Sequence, residues 1–369
     1  MNFLIVTHAP HKKIDTQVYS YAPYVREMNL WTKNVSSTTI VTPVIDKPID
    51  KIDLSYDDEV RIKKIPALGF TSWGFGLKSL LNLPVIFWVL FTQMRKADHI
   101  HLRCPGTIGL AGCVMQMAFP KKKKTAKYAG NWDPEAVQPL SYRLQKWILS
   151  NTFLTRNMQV LVYGDWPNQT KNICPFFTAT YWEHAKAAVT KRDYKGKLEF
   201  LFVGSLVPGK QPLYAIKLVE NLVKKRVDVS LTLYGDGVLR KELEQYVEEN
   251  SLDAAIQFMG NQPSGVVTSA YKQAHFLLLA SNSEGWPKVV AEAMFWGAIP
   301  VSTPVSCVAW MLDYGKRGIL LKNDLDNDTS DLLSTLNNKD ELELMSNCAV
   351  QWSRQYTLDS FENAIKELL

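Results

Sequence analysis

The chain repeats one rhythm twice, a short apolar run followed by a stretch of helical periodicity, and that alternation confines it to the α/β class. In the first half the apolar runs are FLIV (3–6), TTIV (38–41), HIHL (99–102), TAKYA (125–129) and QVLV (159–162), separated by helix-like stretches near 17–32, 76–95, 106–118 and 139–154. In the second half they are LEFLFV (198–203), SLTLY (230–234), IQFM (256–259), HFLLLA (275–280), IPVS (299–302) and GILL (318–321), with helices near 211–226, 238–250, 264–273 and 287–297. Strands that alternate with helices predict a parallel sheet covered on both faces. A length of 369 residues suffices for two domains, each with its own core. Residues 163–197 break the rhythm with Pro167, Pro175 and the charged stretch KRDYKGK, which predicts the crossing between domains. We place the first domain at 1–185 and the second at 186–352, and expect the amphipathic closing segment 353–369 to return to the first.

Charge separates the halves. Residues 1–190 carry 23 Lys and Arg against 13 Asp and Glu, whereas residues 191–369 carry 19 against 23. The basic half is expected to face something anionic, and its densest cluster runs from Lys121 to Lys124, with Lys127 close behind. Anionic lipid head groups or a phosphorylated acceptor fit that cluster, as does a plain solvated turn. Nucleic acid does not fit, because no aromatic platform or helix-turn-helix pattern accompanies the charge. The start, MNFLIVTHAP, lacks a basic region before its apolar run and predicts a first strand. The apolar stretch Leu77–Met94 is interrupted by Lys78, Asn82, Pro84, Thr92 and Gln93, too often to cross a bilayer. Five widely spaced cysteines without metal-ligand spacing suit a reduced, cytoplasmic setting, with attachment to the inner face of a membrane as an addition.

The segment ASNSEGWPKVVAEAMFWGAIPVST (280–303) carries the most chemistry. An apolar strand leads into a polar loop, Ser281 to Trp286, then Pro287 opens a helical run that Gly297 ends. Backbone N–H groups and the dipole at such a helix start favour an anion such as a diphosphate. Glu284 lies in the loop and Glu292 in the helix, roughly 9 Å apart along its axis at about 1.5 Å per residue. A double-displacement glycosidase pair stands about 5–5.5 Å apart, so these two carboxylates suit the two ends of an extended ligand. The plain alternative is that Glu284 caps the helix and Glu292 is a surface charge.

With seven residues between Glu284 and Glu292, SEGWPKVVAEAMFWGAIPV resembles the signature of the family 4 retaining glycosyltransferases of the GT-B fold. FVGSLVPGKQP (202–212), LYGDGVLRKELE (233–244) and IQFMG (256–260) resemble that family's donor-domain turns and following strand, in the same order. The resemblance implies two doubly wound Rossmann-like domains facing a central cleft, and transfer of a sugar from a UDP- or GDP-type donor to a glycan or lipid-linked acceptor with retention of configuration. It implies that Glu284 holds hydroxyls of the transferred sugar and Glu292 those of the ribose. Ser283 and the backbone of Gly285, Trp286 and Pro287 would lie along the sugar and diphosphate. Lys210 would bind phosphate, with Gly204 and Gly235 allowing close backbone approach. Ser205 stands where the family has an arginine, and Lys288 or Arg103 is expected to supply the missing charge. Neither a cofactor nor a metal is expected, since no Asp-x-Asp cluster has a metal setting.

The first half departs further from that pattern. Its first loop, THAPHKKIDTQ, offers His8, His11, Lys12 and Lys13 in place of a glycine-rich turn, and YAGNWDPE holds Asn131, Trp132 and Asp133 where relatives often have a histidine. His8, Arg103, Asn131 and Asp133 are the acceptor-side candidates. Of His99 and His101, one is expected to face the core and one the cleft; Trp73, Trp132, Trp166 and Trp286 are candidates for stacking on sugar. Two rival functions share the fold expectation: a nucleotide-sugar epimerase, and a non-catalytic nucleotide-sugar-binding subunit.

Overall fold

A computed structural model describes residues 1–50, 52–69 and 73–369, and the side chains of residues 73–78, that of Trp73 among them, lie outside the described residues. Two compact units emerge, one of Met1–Phe177 with Phe361–Leu369 and one of Thr178–Ser360.

The first unit is built on a seven-stranded parallel sheet, in the spatial order Ile173–Phe176, Met158–Tyr163, Lys123–Tyr128, His99–Cys104, Asn2–Val6, Ser37–Pro43 and Val60–Ile65. From its first strand the chain builds outward to Val60–Ile65, then reverses to the other side through His99–Cys104. Right-handed crossovers therefore put helix Ala22–Thr32 on one face and Trp73–Lys96, Thr107–Met115 and Leu140–Ser150 on the other. Leu4, Val6, Ile86, Leu90, Ile100, Leu102 and Val160 form the core under that second helix layer. Helix Leu358–Leu368 joins this unit through Phe361 and Ile365, both buried, with the Phe361 ring 5.4 Å from that of Phe176.

The second unit repeats the plan with six parallel strands, ordered Ile256–Gly260, Val229–Tyr234, Leu198–Val203, Phe276–Leu279, Ile299–Ser302 and Ile319–Leu320. Its central strands have the alternating or fully apolar burial that a doubly covered sheet requires. Two helices follow the last strand. Asp324 caps Leu325–Leu336 by accepting from the Asn327 N–H at 3.1 Å, and Asn338 caps Lys339–Ser353 through the Glu341 N–H at 3.3 Å.

Several strands lie outside the apolar runs of the sequence. Lys12–Ile14, Gln17–Tyr21 and Asp53–Ser55 form a small antiparallel sheet, so the expected helix from residue 17 begins only at Ala22. Val60–Ile65 (VRIKKI) alternates apolar and charged residues because it closes the edge of the large sheet, where charge discourages further pairing. Ile173–Phe176 extends the other edge, within the stretch whose broken rhythm predicts a crossing between domains.

Both histidines of the strand HIHL face the core. Residues two apart on a strand share a face, so His99 and His101 both bond to Thr125 Oγ1 at 2.9 Å and pack on Phe3. Burial holds His99 down at about 4 and His101 well below its ordinary value. The expectation that one of them faces the cleft is corrected accordingly.

Candidate functional site

In the second unit the strand order reverses between Leu198–Val203, which leads outward to Ile256–Gly260, and Phe276–Leu279, which leads the other way. The loops leaving the carboxyl ends of these two neighbours diverge and leave a crevice, the usual ligand position in open parallel sheets. Lys210 comes from the first loop and Glu284 from the second. The segments are stitched together: the Asn282 N–H donates to the Gly209 carbonyl at 2.9 Å, and the Gln211 amide donates to the Ala280 carbonyl at 2.8 Å and to Asn282 Oδ1 at 2.5 Å. That lacing sets the short helix Pro208–Lys210 beside the 281–287 loop. It brings Lys210 Nζ into a direct ion pair with Glu284 Oε1. The lysine side chain is 30% exposed and the glutamate 10%, so the pair sits at the lip of the crevice with its cation partly open to solvent.

The floor is backbone. Gly235 follows the strand Val229–Tyr234 at φ 137°, and a Cβ there would fall well inside contact distance of the Gly204 carbonyl oxygen. The turns after the two strands thus set main chain on main chain, with the Gly204 N–H donating to the Tyr234 carbonyl at 2.9 Å. Gly235 is required by this packing, whereas a Cβ on Gly204 would meet only Phe202 at ordinary distance. Ser205, in place of the family's arginine, is exposed on the same turn, and Ser283 is exposed on the loop opposite.

Helix Lys288–Phe295 starts directly behind Pro287, with Lys288 half-buried at its first position. From behind, Ser306 Oγ and Cys307 Sγ donate to the Gly285 carbonyl at 3.0 and 3.2 Å, which holds the loop against the body of the unit. Glu292, in the second turn of the helix, accepts from Thr180 Oγ1 at 2.7 Å and from the Tyr271 hydroxyl at 3.1 Å. Its carboxylate is thereby oriented by two protein hydroxyls of the same unit, and the cost of desolvating it is offset. Sequence reasoning misses these two hydroxyl donors, because no periodicity links Thr180 or Tyr271 to residue 292.

Several side chains named from the sequence serve packing instead. Trp286 is buried among Trp310, Trp352 and Tyr356, with ring centroids 6.3, 6.2 and 5.6 Å away, so its indole does not offer a stacking face. Trp132 is 1% exposed, set edge-on to Tyr128, and donates to Gln169 at 3.0 Å. Trp166 donates to the Tyr163 carbonyl at 2.8 Å.

In the first unit, Arg103 is buried and ion-paired with Glu27 beside the Tyr24 ring, so its charge is already met and it does not supply what Ser205 lacks. Asn131 and Asp133 fold their own loop, accepting from the N–H groups of Asp133 and Glu135 at 2.9 Å each. His8, by contrast, lies at the carboxyl end of the first strand, against Gly106 at the start of helix Thr107–Met115. That is the equivalent switch point of the first sheet, between Asn2–Val6 and His99–Cys104. The His8 side chain is exposed, and partial desolvation together with the Arg103 charge lowers its basicity. His11 is enclosed by Tyr56 and Thr42, at 2.9 and 3.0 Å, and Lys12 pairs with Asp53 at 2.6 Å, so these two hold the small sheet in place.

Comparison with known proteins follows the same division. Residues 186–350 match the family described as glycosyl transferases group 1. An uncharacterized glycosyltransferase of Methanocaldococcus jannaschii is 25% identical over 169 residues, 46% of this chain and 46% of that protein. The GalNAc-alpha-(1->4)-GalNAc-alpha-(1->3)-diNAcBac-PP-undecaprenol alpha-1,4-N-acetyl-D-galactosaminyltransferase of Campylobacter jejuni is 33% identical over 104 residues, 28% of each chain. The chain thus spans less than half the length of the curated relatives it matches. Among solved structures, the lipopolysaccharide outer core galactosyltransferase WaaB in its apo form aligns with a TM-score of 0.71 at 15% identity, over 100% of this chain and 99% of that one. Anabaena HepE in complex with UDP and glucose aligns at 0.66 and 14%, over 100% and 98%. The fold is that of the GT-B glycosyltransferases, and residues 186–350, a little under half of the chain, match glycosyl transferases group 1.

Proposed function

We propose that the chain transfers a sugar from a nucleoside diphosphate donor, of UDP or GDP type, to a glycan or lipid-linked acceptor with retention of configuration. The observation that carries this reading is the Lys210–Glu284 pair at the switch point of the second sheet, above the glycine-floored turns. The Glu284 carboxylate stands beside Lys210 as an anionic ligand would. On donor binding, Lys210 turns to the diphosphate and Glu284 is released to accept from hydroxyls of the transferred sugar. Glu292, held by Thr180 and Tyr271, accepts from the ribose hydroxyls.

The chemistry asked of the protein is orientation and stabilisation of a leaving anion. The bond from the anomeric carbon to the diphosphate oxygen breaks, and the bond to the acceptor oxygen forms on the same face. The acceptor's proton passes to the departing phosphate oxygen, so no protein nucleophile is consumed. Lys210, Lys288 and the start of helix Lys288–Phe295 meet the developing negative charge. That role needs no metal, and we expect activity to survive saturating chelator; loss of activity restored only by a divalent cation would overturn this part. The HepE complex with UDP and glucose and the Campylobacter relative, whose name carries an undecaprenol diphosphate, support the donor and acceptor classes respectively.

A thermal-shift screen of nucleotide sugars tests the reading. A ligand at 100 times its Kd adds about 2.7 kcal/mol of stability, and Lys210→Ala should remove most of the shift and lower turnover by about 100-fold. Donor-only incubation separates transfer from epimerisation, which would change the sugar nucleotide without an acceptor. If no nucleotide sugar or nucleoside diphosphate shifts the wild type, the donor-site assignment fails.

A further inference from the structure

The three helices that cover one face of the first sheet expose a second apolar surface on their outer side. Trp73–Lys96, Thr107–Met115 and Leu140–Ser150 lie side by side. Trp73–Lys96 buries Ile86, Leu90 and Met94 against the sheet, yet Leu81, Val85, Trp88 and Phe91 on the opposite stripe are exposed, Trp88 by 68%. Leu140–Ser150 repeats this: Ile148 and Leu149 are buried, while Leu140, Leu144 and Trp147 face outward at i, i+4 and i+7, Trp147 by 61%. Val114, on the helix between them, is exposed as well. A soluble surface helix normally carries charge on its outer face, and a helix apolar all round belongs in an environment that covers it.

The charge on the helices themselves has one sign. None of the three helices contains an Asp or Glu. Their carboxyl ends gather cations: Arg95 and Lys96 close the first, Lys121 and Lys123 follow the second, and Arg156 follows the third. These ends are fixed together, since Lys122 Nζ donates to the Arg95 and Ala97 carbonyls at 3.2 and 2.5 Å and Phe91 packs on Phe119 at 5.4 Å. Lys121, Lys123, Arg156 and Lys171 line a groove of about 850 Å³, and none of the four forms an ion pair among the described residues. Lys124, part of the expected basic cluster, is instead buried and donates to the Phe119 carbonyl at 3.0 Å, where burial brings it to about 8.

We propose that this three-helix face docks on an anionic lipid bilayer, with Trp88 and Trp147 seated in the interfacial region and Lys121, Lys123 and Arg156 meeting lipid phosphates at its edge. Indole rings favour the membrane interface, and an apolar face bordered by cations is the pattern of helices that lie on a membrane. Among the described residues no helix is long and apolar enough to cross one, so the contact is in plane. The absence of carboxylates from all three helices, with Asp98 just beyond the first bonded to the Asn2 N–H at 2.7 Å, favours lipid phosphate over a protein partner, whose surface would present both signs. The proposal rests on the first unit alone and holds whether or not the transfer reaction proposed above is correct.

Co-sedimentation of the full chain with phosphatidylcholine vesicles, with and without phosphatidylglycerol, tests it. Wild type should bind the anionic vesicles at low salt, shift its tryptophan emission to the blue, and release as salt rises. The double variant Trp88→Glu, Trp147→Glu should bind about tenfold more weakly or worse, with an unchanged circular dichroism spectrum because both side chains are exposed. The triple variant Lys121→Gln, Lys123→Gln, Arg156→Gln leaves the apolar face intact and should lose the salt-sensitive part of binding. Failure of wild type to bind anionic vesicles at low salt overturns the proposal, as does binding unaffected by either variant. So does self-association in sedimentation velocity that the tryptophan variant abolishes while vesicles are ignored, which would make the face an interface between copies.

Discussion

At the scale of single residues, the two carboxylates of the second unit are held in ways that predict different kinetics. Glu292 is pinned by Thr180 and Tyr271 and, in the proposed reaction, contacts a part of the donor that does not change as the bond breaks. Glu284 is paired with Lys210 and must exchange that partner for the moving sugar. Glu292→Ala should therefore raise KM for the donor about tenfold with little change in kcat, whereas Glu284→Ala should lower kcat by about 100-fold. Steady-state kinetics with varied donor decide it, and equal effects of both substitutions on both constants would count against the division. What the sequence discloses at this scale is spacing: a loop carboxylate, a helix carboxylate and a lysine after the first turn. It does not disclose partners, since Thr180 lies 112 positions from Glu292 and Glu27 lies 76 from Arg103. Arg103 accordingly reads as a free cation near a cleft, although the fold encloses it against Glu27.

At the scale of elements, strands covered on both faces are legible because continuous apolar runs flanked by turns admit few other structures. Edge strands and the small antiparallel sheet are not, because VRIKKI and QVYSY keep charged or polar residues among their apolar ones. The helix Leu325–Leu336 also escapes sequence reasoning, its apolar residues being sparse among Asp, Asn and Ser, and Lys339–Ser353 goes unread with it although Leu342, Met345, Ala349 and Trp352 recur at helical spacing. The turns at the site can be tested as elements. Gly235 stands at a φ that L residues rarely adopt, with the Gly204 carbonyl against it. Gly235→Ala should cost about 1–3 kcal/mol and part the two turns that floor the crevice, so donor affinity should fall with stability. Gly204→Ala, which meets ordinary space, should cost less than about 1 kcal/mol unless donor is bound. Thermal unfolding of both variants with and without nucleoside diphosphate checks the contrast, and comparable losses in the two free proteins would remove Gly235 from its structural role.

At the scale of the whole molecule, buried imidazoles are distributed unevenly between the units, and this predicts how the chain responds to acid. His11, His99 and His101 are all fully enclosed in the first unit, and burial holds His11 and His99 down at about 4. In the second unit the buried histidine is His275, also lowered, whose ring bonds to the Asp193 carbonyl at 3.2 Å. An unfolded histidine takes its proton near pH 6.5, so between about 6.5 and about 4 the unfolded first unit binds more protons than the folded one. Its stability is complete above about pH 6.5 and falls as the pH drops toward 4, by about 3 kcal/mol for each of His11 and His99. Losses of that size are a large part of the roughly 5–15 kcal/mol that holds a typical domain. The first unit should therefore open first on acidification. Amide exchange at about pH 7 and about pH 4.5 measures this unit by unit: protection in His99–Cys104 and Lys123–Tyr128 should collapse while Leu198–Val203 and Phe276–Leu279 keep theirs. His99→Gln should flatten the pH dependence by leaving the amide bonded to Thr125 without a proton to gain, whatever its effect on stability at neutral pH. Simultaneous loss of protection in both sheets, or an unchanged slope in His99→Gln, would show that carboxylates rather than the enclosed imidazoles govern the acid transition.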